Sequence, residues 1–245
     1  MSPEEHDIMR AVEDRYWWYL ALRNEVTAMI CPSRPDFALL DAGCGSGGML
    51  AAVARQFPAA KLTGMDVSEH AVELTAGRET GASLTTGSVN HLPFPDSQFD
   101  VVLSLDVLTN RGVNDQDALR ECRRVLRPGG ELIVNVAALD FLRGSHDVAV
   151  DADRRYIRSQ LATLLREAGF SIKRLTYWNM TLLPLVALVR WRSRNTSSVE
   201  ARSDFSSHSS WVNSLLAGLL GLEFRLSSVV PLPLGSSLLA HARKP

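Results

Sequence analysis

The chain has 245 residues and a net charge of −1, so its overall charge gives no reason to expect nucleic acid as a partner. With 46% hydrophobic and 22% charged residues it has the composition of a soluble globular protein, and neither a secretory leader nor a membrane-spanning run is predicted. Its three cysteines are far apart, which is typical of free thiols in a reducing cytoplasm, and no side chains have metal-ligand spacing.

The first predicted elements are one or two helices within residues 4–30, a segment that contains the aromatic run from Tyr16 to Tyr19. Beyond them, short apolar strands alternate with helices. The predicted strands are Phe37–Asp41, Lys61–Asp66, Ser83–Thr86, Asp100–Leu105, Glu131–Val136, Ser171–Tyr177 and residues 235–243. The predicted helices are Gly48–Phe57, a segment that starts after the N-cap Ser68, Asp115–Leu126, 157–168 and 211–222.

This alternation predicts an α/β fold with a doubly wound, seven-stranded, mostly parallel sheet. Residues 193–210 are rich in serine and lack periodicity, which indicates a mobile loop. We expect a single domain in which residues 1–34 form an N-terminal helical lid and 35–178 form the core. Residues 179–234 would then be a helical insertion, followed by the last strand in 235–245.

The stretch LLDAGCGSGG contains the spacing Gly43-x-Gly45-x-x-Gly48 between a predicted strand and a predicted helix. Such glycines let the backbone approach a ligand closely at the carboxyl edge of a sheet. Asp66 ends the next strand, where a carboxylate can accept both ribose hydroxyls of an adenosine. The pattern therefore fits a nicotinamide dinucleotide or S-adenosylmethionine. Asp41 favours the second, because a carboxylate repels a pyrophosphate but attracts an ammonium and a sulfonium.

Four segments in order resemble the motifs of class I S-adenosylmethionine-dependent methyltransferases. LLDAGCGSG is similar to their first motif and GMDVSEHAVELT to their acidic second motif. GSVNHLPFPDSQFDVVLSLDVL resembles their third and fourth motifs, and LRECRRVLRPGGELIVNV resembles the helix, turn and strand that follow. The flanking segments are similar to a bacterial group of type 11 methyltransferases. This resemblance covers residues 37–137 and implies the class I methyltransferase fold.

The resemblance also implies which residues hold S-adenosylmethionine. Asp41 would orient its amino group, Asp66 would hold its ribose hydroxyls, and Ser88 would face the adenine where many relatives have aspartate. The other implied cofactor-binding residues are Gly43, Cys44, Gly45, Gly47, Met65, Val67, Val89 and Leu105. Tyr16 and Trp17 are the lid residues expected to close over the cofactor, and Arg23 on the same helix is expected to reach the cofactor carboxylate. The alternative for these aromatic residues is that they only pin the N-terminal helix to the body.

Candidates for the chemistry lie at the end of the fourth strand and beyond the fifth. The candidate catalytic residues are His146, as base or substrate ligand, Asp106 and Asn110. Relatives commonly carry Glu-His where this chain has Thr109 and Asn110, so the acceptor pocket is expected to differ. The candidate substrate-binding residues are Arg154, Arg155, Tyr156 and Trp178. An arginine pair there could bind a carboxylate or phosphate, or it could only cap loops.

We expect methyl transfer to a small-molecule acceptor, with oxygen favoured over nitrogen and natural-product tailoring as the setting. One alternative is a methyltransferase of a glycan or lipid-linked envelope intermediate, because apolar segments in 178–234 could contact a membrane peripherally. The same insertion could instead cap the acceptor pocket or meet a partner. The other alternative is a methyltransferase-like cyclase or binding protein that does not consume the cofactor.

Overall fold

The computed structural model describes residues 1–194 and 210–245, and the seven strands of this part form one sheet. The strands are β1 (Ala38–Ala42), β2 (Lys61–Asp66), β3 (Ser83–Thr86), β4 (Phe99–Leu105), β5 (Leu126–Ala137), β6 (Ser171–Trp178) and β7 (Ser237–Arg243). Their spatial order is β3-β2-β1-β4-β5-β7-β6. Only β7 is antiparallel to its neighbours, β5 and β6. The predicted seven-stranded, mostly parallel sheet is confirmed.

Nine α-helices and one 3-10 helix accompany this sheet within the described ranges. They are α1 (Pro3–Val12), α2 (Trp17–Met29), α3 (Gly48–Gln56), α4 (Glu69–Ala76), α5 (Asp115–Val125), the 3-10 helix Asp140–Leu142, α6 (Ser145–Ala149), α7 (Arg158–Glu167), α8 (Leu183–Arg194) and α9 (Ser210–Val229). The predicted N-cap is correct, since the Ser68 hydroxyl accepts a hydrogen bond from the Ala71 N–H at 3.3 Å. In this part of the chain no helix combines the length and the apolar character needed to cross a membrane.

The sheet separates two hydrophobic cores, because successive side chains of a strand point to opposite faces. Leu40 of β1 and Val102 of β4 belong to the core that α5 and α7 cover. Leu39 and Leu103 belong to the other core, which α2, α3 and α9 cover. Both faces of the central strands are therefore buried, as their continuous apolar sequences predict.

Two boundaries differ by five residues or more from those predicted. Strand β5 begins at Leu126 instead of Glu131, because Leu126 already pairs with Phe99 before a bulge shifts the register to the pair Val101 and Glu131. Helix α9 reaches Val229, seven residues beyond the predicted end at 222. Most of the predicted mobile loop, residues 195–209, lies outside the described residues.

The strand order reverses between β1 and β4, which lie side by side and lead to opposite halves of the sheet. In open α/β sheets the crevice at such a reversal, beyond the carboxyl ends of the strands, is the usual ligand site. Asp41 near the end of β1 and Leu105 at the end of β4 both line a cavity of about 520 Å³ at this point.

Candidate functional site

The floor of this cavity is a loop of glycines between β1 and α3. Gly43, Gly45 and Gly47 all have positive φ, at 97°, 53° and 79°. A Cβ atom at Gly43 would also overlap Val107 Cγ2. The loop is held against the end of β2, because the N–H groups of Gly43 and Cys44 both donate to the Met65 carbonyl oxygen, at 2.7 and 2.9 Å. Only glycine can give this backbone its shape and its close packing.

Asp66 ends β2 beside the glycine loop and is half-buried in the wall of the cavity. Its Oδ2 accepts a hydrogen bond from the Gly45 N–H at 2.9 Å, and its Oδ1 accepts one from the Ser68 N–H at 3.0 Å. Each carboxylate oxygen has a second lone pair, so both oxygens can still accept a hydrogen bond from a ligand hydroxyl. Asp66 is therefore placed as predicted and is already oriented by the backbone.

Asp41 is a buried carboxyl group under the same loop, only 2% exposed. Burial, together with the nearby carboxylates Asp66 and Glu13, raises its pKa to about 8. The negative charges of Asp66 and Glu13 disfavour the ionised form of Asp41. A positively charged ligand group in the cavity would offset these charges and stabilise that form. This end of the cavity is therefore suited to a cation and unsuited to a pyrophosphate.

The N-terminal helices close over this end of the cavity. Tyr16 and Trp17 line it, as predicted for the lid, and so do Trp18 and Tyr19. Burial raises the pKa of Tyr19 well above its ordinary value, so its hydroxyl stays neutral. The lid also contacts α9, since the Trp17 N–H donates to Asn213 Oδ1 at 3.3 Å. The aromatic run thus both lines the cavity and anchors the helix.

A buried ion cluster fastens the lid to the glycine loop. Glu13 pairs with Arg78, which follows the end of α4, and accepts a hydrogen bond from the Ser46 hydroxyl. Its Oε2 also lies 3.6 Å from Arg23 Nη1. The side chains of Glu13 and Arg78 are each only 6% exposed. Arg23 also pairs with Asp14 at 3.2 Å. Arg23 lines the cavity, as expected, but its guanidinium is already paired with carboxylates of the lid. Its role toward the cofactor carboxylate stays a prediction.

Asp106 lies directly after β4, in a left-handed backbone conformation with φ +59°, and the part of the cavity that it lines with Asn110, Arg111 and Arg155 is termed the acceptor end. Both of its carboxylate oxygens accept from Asn135 Nδ2, at 2.9 and 3.0 Å. Burial raises the pKa of Asp106 to about 7, although the hydrogen bond from Asn135 and the charge of Arg155 lower it. Such a carboxyl group can accept and release a proton near neutral pH. A strained backbone at this position is typical of functional sites.

Trp178 supports Asp106 from behind instead of contacting a ligand. Its side chain is fully buried, and its Nε1–H donates to Asn135 Oδ1 at 2.8 Å. An indole N–H only donates, so it fixes the Asn135 amide with its Nδ2 toward Asp106. The prediction that Trp178 binds substrate is therefore corrected, since the ring lies in the core.

Two further predicted substrate ligands also have structural partners. The Tyr156 hydroxyl donates to the Leu108 carbonyl oxygen at 3.0 Å, and the ring is buried outside the cavity wall. Arg154 donates to the Val113 carbonyl oxygen at 2.8 Å and pairs with Asp153. Neither residue lines the cavity, so we correct both predictions: the two side chains connect the loop before α7 to the loop after β4.

Arg155 does line the cavity, but it is not a free cation. Its side chain is 4% exposed, pairs with the equally buried Asp147 at 2.8 Å, and donates to the Ala138 carbonyl oxygen at 2.7 Å. Asn110 lines the same end, as predicted. The side chain of His146 lies outside the described residues, so its role as base or substrate ligand stays a prediction.

The remaining predicted cofactor residues divide into two groups. Cavity-lining residues among them are Cys44, Val67, Ser88, Val89 and Leu105. Met65 and Gly47 do not line the cavity: Met65 is fully buried beneath the loop, and Gly47 begins α3 as its N-cap. Burial also raises the pKa of Cys44 beyond the physiological range, so its thiol is inert.

Several cavity residues carried no sequence signal. His6 and Met9 come from α1 and Glu13 follows the end of that helix, whereas Asn179, Ser236 and Ser237 come from the end of β6 and the start of β7. They lie far apart in sequence, and none belongs to a motif or a periodic pattern. Only the docking of α1 and the antiparallel entry of β7 bring them to the cavity. Within the described residues, no group of three or more histidine, cysteine, aspartate or glutamate side chains could hold a metal ion.

The fold and this cavity define an α/β protein of the doubly wound class with a site for an adenosine-containing cofactor. Residues 40–134 match the methyltransferase domain family. The chain therefore carries a class I S-adenosylmethionine-dependent methyltransferase domain, as its motifs predict.

Individual relatives agree with this assignment. The chain is 30% identical over 178 residues to a probable S-adenosylmethionine-dependent methyltransferase of Mycolicibacterium smegmatis, covering 69% of this chain and 65% of that protein. It is 31% identical over 168 residues to the malonyl-[acyl-carrier protein] O-methyltransferase of Dechloromonas aromatica, covering 64% and 62%. The match thus spans less than two thirds of either relative. The solved structure of the [4+2]-cyclase SpnF has a similar fold, with a TM-score of 0.61 and 24% identity over 93% of this chain and 81% of that one.

Proposed function

We propose that this protein transfers a methyl group from S-adenosylmethionine to a hydroxyl group of an uncharged, largely apolar small molecule. The observation that carries the proposal is Asp41, a buried carboxyl group whose charged neighbours Asp66 and Glu13 are also carboxylates. When bound, S-adenosylmethionine supplies a methyl group activated by a positively charged sulfur. Asp41 would face its ammonium group, Asp66 its ribose hydroxyls, and Ser88 and Val89 its adenine.

The cofactor assignment is tested by titration calorimetry with S-adenosylhomocysteine and, separately, NADH. Asp66→Ala should weaken binding of S-adenosylhomocysteine by about 1.5–3 kcal/mol, the scale of hydrogen bonds to a charged group. Asp36→Ala is the control, because Asp36 is an exposed carboxylate whose only described ion pair is to Arg34 at the surface. Tight binding of NADH in place of S-adenosylhomocysteine would contradict the assignment.

The charges at the acceptor end support a neutral acceptor. Among the described residues, the arginines that line this end are both paired, Arg155 with Asp147 and the largely exposed Arg111 with Asp151 at 3.7 Å. A carboxylate or phosphate on the acceptor would meet Asp106, and the buried cation Arg155 could balance its charge only by leaving Asp147. The name of the Dechloromonas relative implies a carboxylate acceptor, so we propose that this chain differs from that relative in acceptor class.

Asp106 is the group we propose as general base. A hydroxyl oxygen is a poor nucleophile while it keeps its proton, and a carboxylate with a pKa near 7 can accept that proton as the oxygen reacts. Asn135 holds the carboxylate in place through the two hydrogen bonds to Asp106. The proton can then leave from Asp106 to solvent, which returns the carboxylate to its starting state.

We predict that Asp106→Asn lowers kcat by about 10²-fold or more, the usual contribution of a positioned base. In the unchanged protein kcat/KM should rise with pH through about 7, because only the ionised carboxylate accepts a proton. The measurement is transfer of labelled methyl to the acceptor across this pH range. Binding of S-adenosylhomocysteine by the variant is the control, and a variant that keeps both full turnover and the same pH profile would remove Asp106 from the base role.

The acceptor itself is sought by incubating the protein with methyl-labelled S-adenosylmethionine and an extract of its source, followed by fractionation. Label in neutral organic-soluble molecules that survives mild alkali, as a methyl ether does, supports the proposal and the natural-product setting. Label released as methanol by mild alkali, which marks a methyl ester formed on a carboxylate, or label in macromolecules contradicts the neutral small-molecule acceptor. Bound cofactor with no label in any fraction would favour the cyclase or binding-protein alternative.

A second candidate function, methylation of a lipid-borne acceptor, is favoured by the outer face of α9. Large apolar side chains repeat along this face at helical spacing and are 58–69% exposed: Trp211, Leu215, Leu222 and Leu226. A helix with such a face can lie in a membrane interface. Flotation with vesicles tests this candidate, and a protein that stays with the unbound fraction excludes it.

A further inference from the structure

His6 is a buried histidine that lines the cofactor end of the cavity from the N-terminal lid. It lies on α1 and is only 3% exposed. It shares the cavity wall with Met9 of the same helix and with Asp66, the expected ribose ligand. A polar ring in this position needs a hydrogen-bond partner, because burial of an unsatisfied polar group is costly.

The hydrogen bonds of His6 determine what its ring can offer to a ligand. Nδ1 lies 2.9 Å from the Ser2 carbonyl oxygen, and since a carbonyl oxygen only accepts, Nδ1 carries the proton. Burial lowers the pKa of His6, more than the nearby Asp66 raises it, so the ring is neutral at neutral pH. Nε2 is then an acceptor, and among the described residues it has no hydrogen-bond partner.

The docking of α1 keeps this acceptor beside Asp66. Asp7 on the same helix accepts a hydrogen bond from His70 of α4 at 2.9 Å. A Cβ atom on Gly45 would lie only 2.9 Å from Met9 Cε, so α1 packs directly on the glycine loop. The ion pair between Glu13 and Arg78 fastens the segment after the helix. Three contacts thus hold α1 in one position over the cavity.

We propose that His6 is a second ligand for the ribose of the cofactor, with Nε2 accepting a hydrogen bond from one ribose hydroxyl while Asp66 accepts from the other. This inference rests on the proposed function, because it needs an adenosine in the cavity. It identifies the ligand class as an adenosine with both hydroxyl groups free. It also makes α1 part of the cofactor site, so the bound cofactor and the lid helix stabilise each other.

The experiment compares the intact protein with His6→Phe and His6→Gln by titration calorimetry. Phenylalanine keeps the ring but has no acceptor, whereas the glutamine amide restores one. The ligands are S-adenosylhomocysteine and its 2′-deoxy and 3′-deoxy analogues. His6→Phe should weaken S-adenosylhomocysteine binding about three- to tenfold, the effect of one hydrogen bond, and His6→Gln should recover most of this loss. One deoxy analogue should bind the intact protein and His6→Phe equally, because the missing hydroxyl is the one that His6 binds.

His70→Phe is the comparison variant for the docking of α1, because it removes the contact with Asp7 while His70, 6.3 Å from His6 between ring centres, does not line the cavity; a loss of binding that it shares with His6→Phe is assigned to helix position and not to the acceptor. The inference is overturned if His6→Phe binds S-adenosylhomocysteine as tightly as the intact protein. It is also overturned if the substitution weakens all three ligands equally, which would indicate packing alone. If the intact protein does not bind S-adenosylhomocysteine at all, the proposed function fails first. If the intact protein binds S-adenosylhomocysteine and this binding is lost in Asp66→Ala but not in His6→Phe, the proposed function stands. Only the role of His6 as a ribose ligand is then rejected.

Discussion

At the scale of single residues, the site depends on two carboxyl groups that the fold keeps out of water. Asp41 and Asp106 are both buried, and burial raises their pKa values to about 8 and about 7. Near neutral pH, Asp41 is therefore mostly protonated in the ligand-free protein and would ionise when a cation binds beside it. Asp106 is about half ionised at pH 7 without a ligand, because the hydrogen bonds that it accepts from Asn135 offset part of the effect of burial.

We predict that Asp41→Asn stabilises the ligand-free protein above neutral pH. The pKa of this carboxyl group rises from 3.8 in the unfolded chain to about 8 in the folded protein. Its contribution to the free energy of unfolding is therefore fully present below pH 3.8 and is lost as the pH rises to about 8. Thermal unfolding between these pH values should therefore show a steeper fall of stability for the intact protein than for the variant. The same variant should bind S-adenosylhomocysteine about 1.5–3 kcal/mol more weakly, since a charged partner is lost. Parallel pH profiles would show that Asp41 is not the titrating group.

At the scale of elements, the glycine loop and the lid determine the cofactor end. Gly43→Ala should destabilise the protein and weaken S-adenosylhomocysteine binding, because a Cβ atom there overlaps Val107. Gly81→Ala is the matched control: its φ is also positive, at 71°, but no atom lies within 4 Å of the added methyl. Both variants should lose about 1–2 kcal/mol from backbone strain, and only Gly43→Ala should lose about 1–3 kcal/mol more from overpacking. Chemical denaturation measures both losses, and equal losses would refute the steric argument.

The ion cluster under the lid gives the second prediction at this scale. Arg78→Met should destabilise the protein by up to about 3–5 kcal/mol, because it removes the closer of the two cations beside the buried Glu13 and leaves only Arg23 at 3.6 Å. Hydrogen exchange should accelerate in α1 before the sheet is affected. Arg120→Met, which removes a largely exposed pair with Asp117, should change stability by less than about 1 kcal/mol. Unchanged exchange in α1 of the Arg78 variant would show that the cluster does not hold the lid.

The sheet and the glycine loop could be predicted because local sequence determines them. β2 and β3 have the predicted bounds, and Asp41, Gly43 and Asp66 meet where consecutive parallel strands end. The acceptor end could not be predicted in this way. The sequence predicts Trp178 and Tyr156 as substrate ligands, yet the indole N–H donates to Asn135 and the phenol donates to a backbone carbonyl oxygen. Polar aromatic residues near a site satisfy either role, and only tertiary packing decides between them.

At the scale of the whole molecule, Trp178 connects the lid to the insertion. Its ring stacks on Trp18 of α2, with 5.2 Å between ring centres, and on Phe224 of α9 at 5.0 Å. Helix α9 therefore packs on the sheet and the lid with its inner face. Its outer face carries the exposed apolar side chains, with Arg225 among the few charged groups. One helix thus supports the core on one side and offers an apolar surface on the other.

We predict that Leu222→Glu abolishes flotation of the protein with anionic vesicles if the lipid-borne acceptor is correct. Leu222 is 64% exposed at the middle of the outer face of α9, where a carboxylate would be repelled and would not enter the interface. Ile157→Glu is the control, because this side chain is 43% exposed just before α7 and does not belong to the outer face of α9. Equal flotation of both variants would assign the membrane contact to another surface.

The position of β7 also has a consequence for the order of folding during synthesis. β7 bonds to β5 on one side and to β6 on the other, although more than fifty residues of chain separate it from β6. As the chain leaves the ribosome, the strands from β1 to β5 can pair first, while β6 waits for a neighbour that is not yet made. Until β7 arrives, β5 is an open edge at which a nascent chain can pair wrongly with another. The half of the sheet beneath the cofactor cavity is therefore formed first, and the wall at the acceptor end is completed last.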